Sequence, residues 1–169
     1  MRHNYFLLYL LLTLAQLLIA NYINLGPYVM LSIMPVLVLC IPTKIGTNAA
    51  MFIAFASGLL IDLLSEGVLG LNILALVPVA FLRKVITGFV FGEELHTRNT
   101  DFSIKKYGGG KVFFATAIAQ TIFLVIYLLS DGAGARTFLF FAERFLISMV
   151  VGTLLSIAVV EVLTTEEKK

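Results

Sequence analysis

Charge is scarce in this sequence, and that scarcity excludes a soluble protein. Only 13% of the 169 residues are charged and 60% are hydrophobic, whereas a soluble domain is about 25% charged and about 45–50% apolar. One spanning helix needs about 20 apolar residues, so the chain has room for about six spans and little else. We therefore expect an integral membrane protein without a soluble domain.

The residues that build disulfides, metal sites and catalytic sets are almost missing. The single cysteine, Cys40, cannot form an internal disulfide, and the two histidines, His3 and His96, are too few and too far apart for a metal site. No serine–histidine or cysteine–histidine set lies within the apolar runs. We expect no catalytic residue, no cofactor and no metal ion.

Six apolar runs divide the chain, and we interpret them as six short transmembrane helices of one all-α domain covering residues 1–169. Lipid offers no partner to unpaired backbone groups, which favours helices. The first run resembles a signal peptide, but Leu18 stands where a cut after Ala20 requires a small residue, so we interpret it as a retained helix. The runs lie at about residues 5–23, 27–42, 45–63, 68–90, 112–130 and 137–162.

Two of these runs contain residues that disturb a regular span. Pro35 lies in the second run and Pro78 in the fourth, and prolines usually kink spanning helices. Arg83 and Lys84 interrupt the fourth run. We expect a short span ending near Leu82, followed by an amphipathic turn along the interface. The alternative is a continuous tilted helix with snorkelling basic residues.

The lysines and arginines predict the orientation of the chain. With the N-terminus inside, all but two of the 12 basic residues lie on the inner side, the exceptions being Arg136 and Arg144. We therefore predict an N-in, C-in topology. The inner loop at residues 92–111 is polar and basic, and we interpret it as a solvated loop near anionic lipid heads. Docking of a cytoplasmic partner is the alternative.

Asp62 lies inside an apolar stretch, GLLIDLLSEGVLGLN, at residues 58–72. Small residues precede it at steps of four, and a similar stripe follows Arg144 in the last run. Such stripes let membrane helices approach closely, and an intramembrane charge normally finds a partner. We therefore predict that the third and sixth helices pack together with Asp62 near Arg144, for which Glu143 is the competing partner. The stripes are Gly46, Ala50, Ala54 and Gly58, and Ser148, Gly152 and Ser156.

A catalytic role for Asp62 is less favoured than a packing or docking role. An acid/base pair with Glu66 is possible by spacing, but an intramembrane protease needs a second aspartate in a span, and Asp101 and Asp131 lie in predicted loops. A proton-coupled transporter needs a carboxylate deeper in the bilayer. Packing is therefore the preferred role, and binding of a partner or a substrate is the alternative.

The residues that follow Asp62 predict a tight outer turn. Gly67 and Gly70 permit backbone geometry that is closed to other residues, and Asn72 is placed to cap or bond nearby backbone. We expect either a plain glycine turn or a partly re-entrant one, which would have to be enclosed by protein.

The run GLLIDLLSEGVLGLNILAL resembles the signature of the rod shape-determining protein MreD family. The length, the six short spans and the basic inner loop agree with that family. The motif residues carried over are Gly58, Asp62, Gly67, Gly70, Leu71 and Asn72, and the sequence departs from the pattern at Glu66 and Val68, where a small residue and often a proline or aromatic is expected.

The resemblance implies a non-enzymatic scaffold of the bacterial inner membrane that maintains cell shape. Its partners would be MreC directly and, as a complex, the actin-like MreB, RodA and its class B penicillin-binding protein, with the lipid bilayer around it and no nucleic acid. The resemblance also implies a fold similar to the S components of energy-coupling-factor transporters. A vitamin-binding S component is the alternative function, although this chain has no tryptophan and only minimal outer loops.

Overall fold

The computed structural model describes residues 2–23, 26, 28–66, 68–92, 108–132 and 137–165. These residues form α-helices and no β-strand, as predicted for the all-α class. The helices are α1 (Arg2–Tyr22), α2 (Met34–Leu39), α3 (Thr47–Ile61) with a π-helical turn (Asp62–Glu66) at its end, α4 (Leu71–Phe91), α5 (Gly109–Gly132) and α6 (Phe138–Thr165). Most of the predicted inner loop, residues 93–107, lies outside the described residues.

Among the described residues, four helices are long and apolar enough to cross a membrane. The stretches are Thr47–Ser65, Leu71–Phe91, Gly109–Asp131 and Phe138–Leu163, with 19, 21, 23 and 26 residues. Large apolar side chains such as Phe52 and Phe89 are exposed, whereas the interior holds polar groups that include Gln16, Asp62 and Gln120. An apolar exterior around a partly polar interior is what a membrane protein requires.

The second apolar run is not the continuous helix that was predicted, because only Met34–Leu39 are helical among its described residues. Residues 28–33, here called the unwound segment, are not helical. Pro35 explains the helix's late start, since proline has no N–H for the carbonyl of Leu31 and its ring clashes with that carbonyl. Ser32 and Ile33 of the unwound segment are nonetheless buried, as is the chain that follows up to Ile41, so protein encloses this part of the non-helical backbone.

The fourth run is one continuous helix, so the expected end near Leu82 is wrong. α4 extends through Arg83 and Lys84 to Phe91. Continuity matches the alternative interpretation, but Arg83 does not snorkel. Its side chain is only 3% exposed and points into the protein, whereas Lys84 on the next helical step is exposed.

Neighbouring helices in the chain pack side by side, and α2 lies among them. α3 packs on α4, α4 on α5 and α5 on α6, while α2 contacts all five other helices. The bundle has two ends. At the Asp62 end, the Asn21 side chain donates to the carbonyl of Leu64, which joins the end of α1 to the end of α3. At the Arg83 end, the end of α2 and the start of α3 meet α4.

Candidate functional site

The carboxylate of Asp62 is completely buried and caps the start of α4. Oδ1 accepts hydrogen bonds from the backbone N–H of Asn72 at 3.0 Å and from its side-chain amide at 2.9 Å. Oδ2 accepts from the backbone N–H of Gly70 at 2.9 Å and of Ile73 at 3.4 Å. Both oxygens therefore accept hydrogen bonds from backbone N–H groups that would otherwise be unpaired at the N-terminus of α4.

This arrangement satisfies the electrostatic need of a buried carboxylate without a cation. The N-terminus of a helix carries a partial positive charge and free N–H groups, so it binds an anion well. Gly70 precedes α4 with φ at +103°, a left-handed geometry that glycine adopts without strain. Because Gly70 turns the chain there, its own N–H and that of Asn72 both reach the carboxylate of Asp62.

Gly58 lies one helical turn before Asp62 on the same face of α3, and it brings α3 against α4. A Cβ at this position would lie 3.0 Å from the backbone nitrogen of Ile73 and 3.1 Å from its Cα. A backbone cannot move aside as a flexible side chain does. The absence of a side chain at Gly58 therefore permits the close approach at which Asp62 reaches the first turn of α4.

The remaining residues of the first stripe continue along α3. Ala50 and Ala54 are buried, and Gly46 is exposed as the N-cap of α3. Gly67 lies outside the described residues. Between Asp62 and the start of α4, the chain turns through the π-helical segment Asp62–Glu66.

The predicted pairing of Asp62 with Arg144 is wrong. Nη1 of Arg144 lies 2.5 Å from Oδ2 of Asp131 at the end of α5, and both side chains are largely buried. Glu143, the competing partner, is exposed. The close packing predicted between the third and sixth helices is wrong as well, because among the described residues α3 packs on α4 and α6 on α5.

The second small-residue stripe, on α6, faces the unwound segment and α5. Ser148 is buried, and its Oγ accepts the backbone N–H of Met30 at 2.8 Å. Gly152 leaves room for Gln120 of α5, whose Nε2 would lie 2.5 Å from a Cβ at that position. Ser156 completes the buried stripe. Ser148 therefore contacts the second run and Gly152 faces the side chain of Gln120 on α5, whereas neither contact involves α3.

Sequence reasoning missed the side chains that replace the backbone bonds of the unwound segment. Gln16 of α1 donates through Nε2 to the carbonyl of Leu31 at 3.0 Å and accepts from the N–H of Ile33 at 2.9 Å. Leu31 is the residue whose carbonyl Pro35 leaves unpaired. The signal in the sequence was a glutamine in one apolar run and a proline in the next.

At the end of the second run, Arg83 donates hydrogen bonds to backbone carbonyls that lie beyond α2. Nη1 donates to the carbonyls of Ile41 at 2.6 Å and Pro42 at 3.4 Å, and Nη2 to that of Ile45 at 2.8 Å. A guanidinium is suited to this because it carries several donors in a fixed plane and a charge that favours a helix C-terminus. Interpreting Arg83 as snorkelling overlooked the carbonyls beyond α2.

Comparison with protein-family models, with curated proteins and with solved structures finds no match for this chain. Among the described residues, no group of three histidine, cysteine, aspartate or glutamate side chains is placed to hold a metal ion.

Proposed function

We propose that this chain is a non-enzymatic scaffold subunit of the bacterial cell-elongation complex, of the MreD type. The observation that carries the proposal is the joint between α3 and α4. Gly58, Asp62, Gly70 and Asn72, all residues of the motif that resembles MreD, meet there. The carboxylate binds backbone and amide groups of its own chain, so the motif fixes the relative position of two membrane helices. Fixed helix surfaces are what a scaffold presents to its partners.

The topology we propose has six passes with both termini in the cytoplasm, in the bacterial inner membrane. The four long helices, α1 and the second run would supply the passes. Exposed Lys44 and Lys84 lie beside the carbonyls and guanidinium of the Arg83 end, and basic residues favour the cytoplasmic side. The Asp62 end would then face outwards.

The partners we propose are MreC in direct contact and, through the complex, MreB, RodA and its class B penicillin-binding protein. Large apolar side chains cover the outside of α1, α4 and α6, which provides surface both for lipid and for a partner's membrane helix. The role in the complex would be to link the MreB cytoskeleton to peptidoglycan synthesis.

Depletion and copurification test this function together. In a rod-shaped host that depends on this chain, depletion should cause rounding and lysis without loss of nutrient uptake. The wild-type chain and Glu143→Gln, a change at an exposed carboxylate, should restore rods and copurify MreC. Asp62→Ala should restore neither, because the joint is lost.

Two results would contradict the proposal. The first is that depleted cells stay rod-shaped. The second is that the purified chain carries a tightly bound vitamin and no MreC, which would favour the S-component alternative. An expression check in the membrane fraction separates loss of function from loss of protein.

A further inference from the structure

The chain contains only two glutamines, and both bond to backbone groups of the unwound segment. Gln16 approaches from α1 and Gln120 from α5. Gln120 is close to the middle of α5, which runs from Gly109 to Gly132. In a membrane, that position is far from bulk water at either end of the helix.

The two glutamines differ in how fully their amides are bonded. Gln16 uses both its oxygen and its nitrogen on backbone groups of the unwound segment. Gln120 donates only through Nε2, to the carbonyl of Ser32 at 3.4 Å. Its Oε1 is buried and has no hydrogen-bond partner among the described residues, although the residue is 0% exposed. An amide oxygen left unpaired in such a place costs free energy.

A second unpaired polar atom belongs to the helix against which Gln120 packs. Oγ of Ser156 is equally buried, and none of the described residues provides a partner for it. Ser156 lies one helical turn beyond Gly152, the residue whose missing side chain accommodates the Gln120 amide. Among the described residues, an acceptor on α5 and a hydroxyl on α6 thus remain unpaired, and the side chain that carries the acceptor reaches the unwound segment.

We propose that Oε1 of Gln120 and Oγ of Ser156 hold an internal water molecule beside the unwound segment. Buried waters typically satisfy groups of this kind, with two to four polar partners each. The ligand is neutral because the groups around it are amide, hydroxyl and carbonyl. The buried charges Asp62 and Arg83 are each engaged by backbone groups at the ends of the bundle, and an uncompensated ion would be expensive.

Glutamine-selective labelling tests this directly, because the chain supplies its own control. In the full chain reconstituted in deuterated lipid bilayers, solid-state NMR would measure magnetisation transfer from water to each side-chain amide. Transfer should be detected at Gln120 and be absent or at least several-fold weaker at Gln16. Ser156→Ala should reduce the Gln120 transfer and leave Gln16 unchanged. A Gln120 amide as dry as Gln16 would overturn the proposal.

The sign of a stability change gives an independent test. If Ser156 Oγ holds water, Ser156→Ala should raise the unfolding equilibrium constant about fivefold, the typical value for one hydrogen bond. In a protein that already carries Gln120→Leu, Ser156→Ala should change the unfolding equilibrium constant much less, because the water has lost its other partner. An isolated unpaired hydroxyl predicts the opposite, since its removal is neutral or stabilising. Ser130→Ala is the matched control, because within the described part of the chain that hydroxyl bonds to the carbonyl of Ile126 in its own helix.

Discussion

The carboxylate of Asp62 accepts both the backbone N–H and the side-chain amide of Asn72, at 3.0 and 2.9 Å, and so joins the end of α3 to the first turn of α4. The two residues are ten positions apart, so the intervening turn closes at a small entropic cost. The N-terminal helix dipole of α4 and its free N–H groups make this an electrostatically favourable place for a buried charge.

Asp62→Asn should lower the free energy of unfolding by about 1.5–3 kcal/mol, the value of hydrogen bonds to a charged group. The substitution keeps one acceptor but removes the charge and turns an amide N–H₂ towards a backbone donor. Unfolding by titration with sodium dodecyl sulfate in mixed micelles measures the change. Glu143→Gln, which removes an exposed carboxylate, should change it by less than about 0.5 kcal/mol. Equal effects of the two would argue against the cap.

Gly58→Ala should destabilise the protein by about 1–3 kcal/mol, because its methyl group would press on the backbone of Ile73. Gly88→Ala is the matched control on α4, where a Cβ meets nothing within 4 Å. Alanine favours helices over glycine by up to about 1 kcal/mol, so the control should be neutral or stabilising. The same unfolding titration compares them. A harmless Gly58→Ala would mean that α3 and α4 are not in close contact there.

The sequence identified the right face of α3 but paired it with the wrong helix. The small residues before Asp62 correctly indicated close packing, and Gly58 touches backbone at that face. Pairing Asp62 with an arginine on another helix left out the unpaired backbone N–H groups at the start of α4, which begins a few residues after Asp62. Those groups bind Asp62, and Arg144 pairs instead with Asp131, the carboxylate at the end of the neighbouring helix.

The unwinding of the second run was beyond sequence reasoning for a different reason. Pro35 suggested a kink, but a kinked helix and an unwound segment differ in whether other side chains can replace the lost bonds. That replacement comes from Gln16, 15 residues before Leu31, and from Arg83, 42 residues beyond Ile41. Such partners become apparent only when the packing of the helices is known.

Arg83→Met should destabilise the protein by about 1.5–3 kcal/mol, because buried carbonyls at the end of α2 lose a charged donor. Arg83→Lys should recover part of the loss, since an ammonium is a point charge without the planar fork. Lys111→Met, at an exposed basic residue of α5, should have little effect. The comparison uses unfolding free energies of the four proteins. If Arg83→Met behaved like Lys111→Met, the carbonyl contacts would contribute nothing.

Double-mutant cycles should couple Arg144 to Asp131 and not to Asp62. Neutralising Asp131 and Arg144 singly and together should give an interaction energy of about 0.5–3 kcal/mol, as expected for residues in contact. Oδ2 of Asp131 lies 2.5 Å from the guanidinium, whereas Asp62 is occupied by α4. The cycle of Asp62 with Arg144 should therefore be additive to within about 0.5 kcal/mol.

Exchanging the charges within each pair is a further test of which carboxylate pairs with Arg144. Asp131→Arg combined with Arg144→Asp preserves the attraction across the end of α5 and should recover stability lost in either single substitution. Asp62→Arg combined with Arg144→Asp should recover nothing, because an arginine at position 62 turns a cation towards the positive end of α4. Recovery in the second pair and not in the first would support an Asp62–Arg144 pair between the third and sixth helices. It would contradict the finding that Asp62 caps the start of α4.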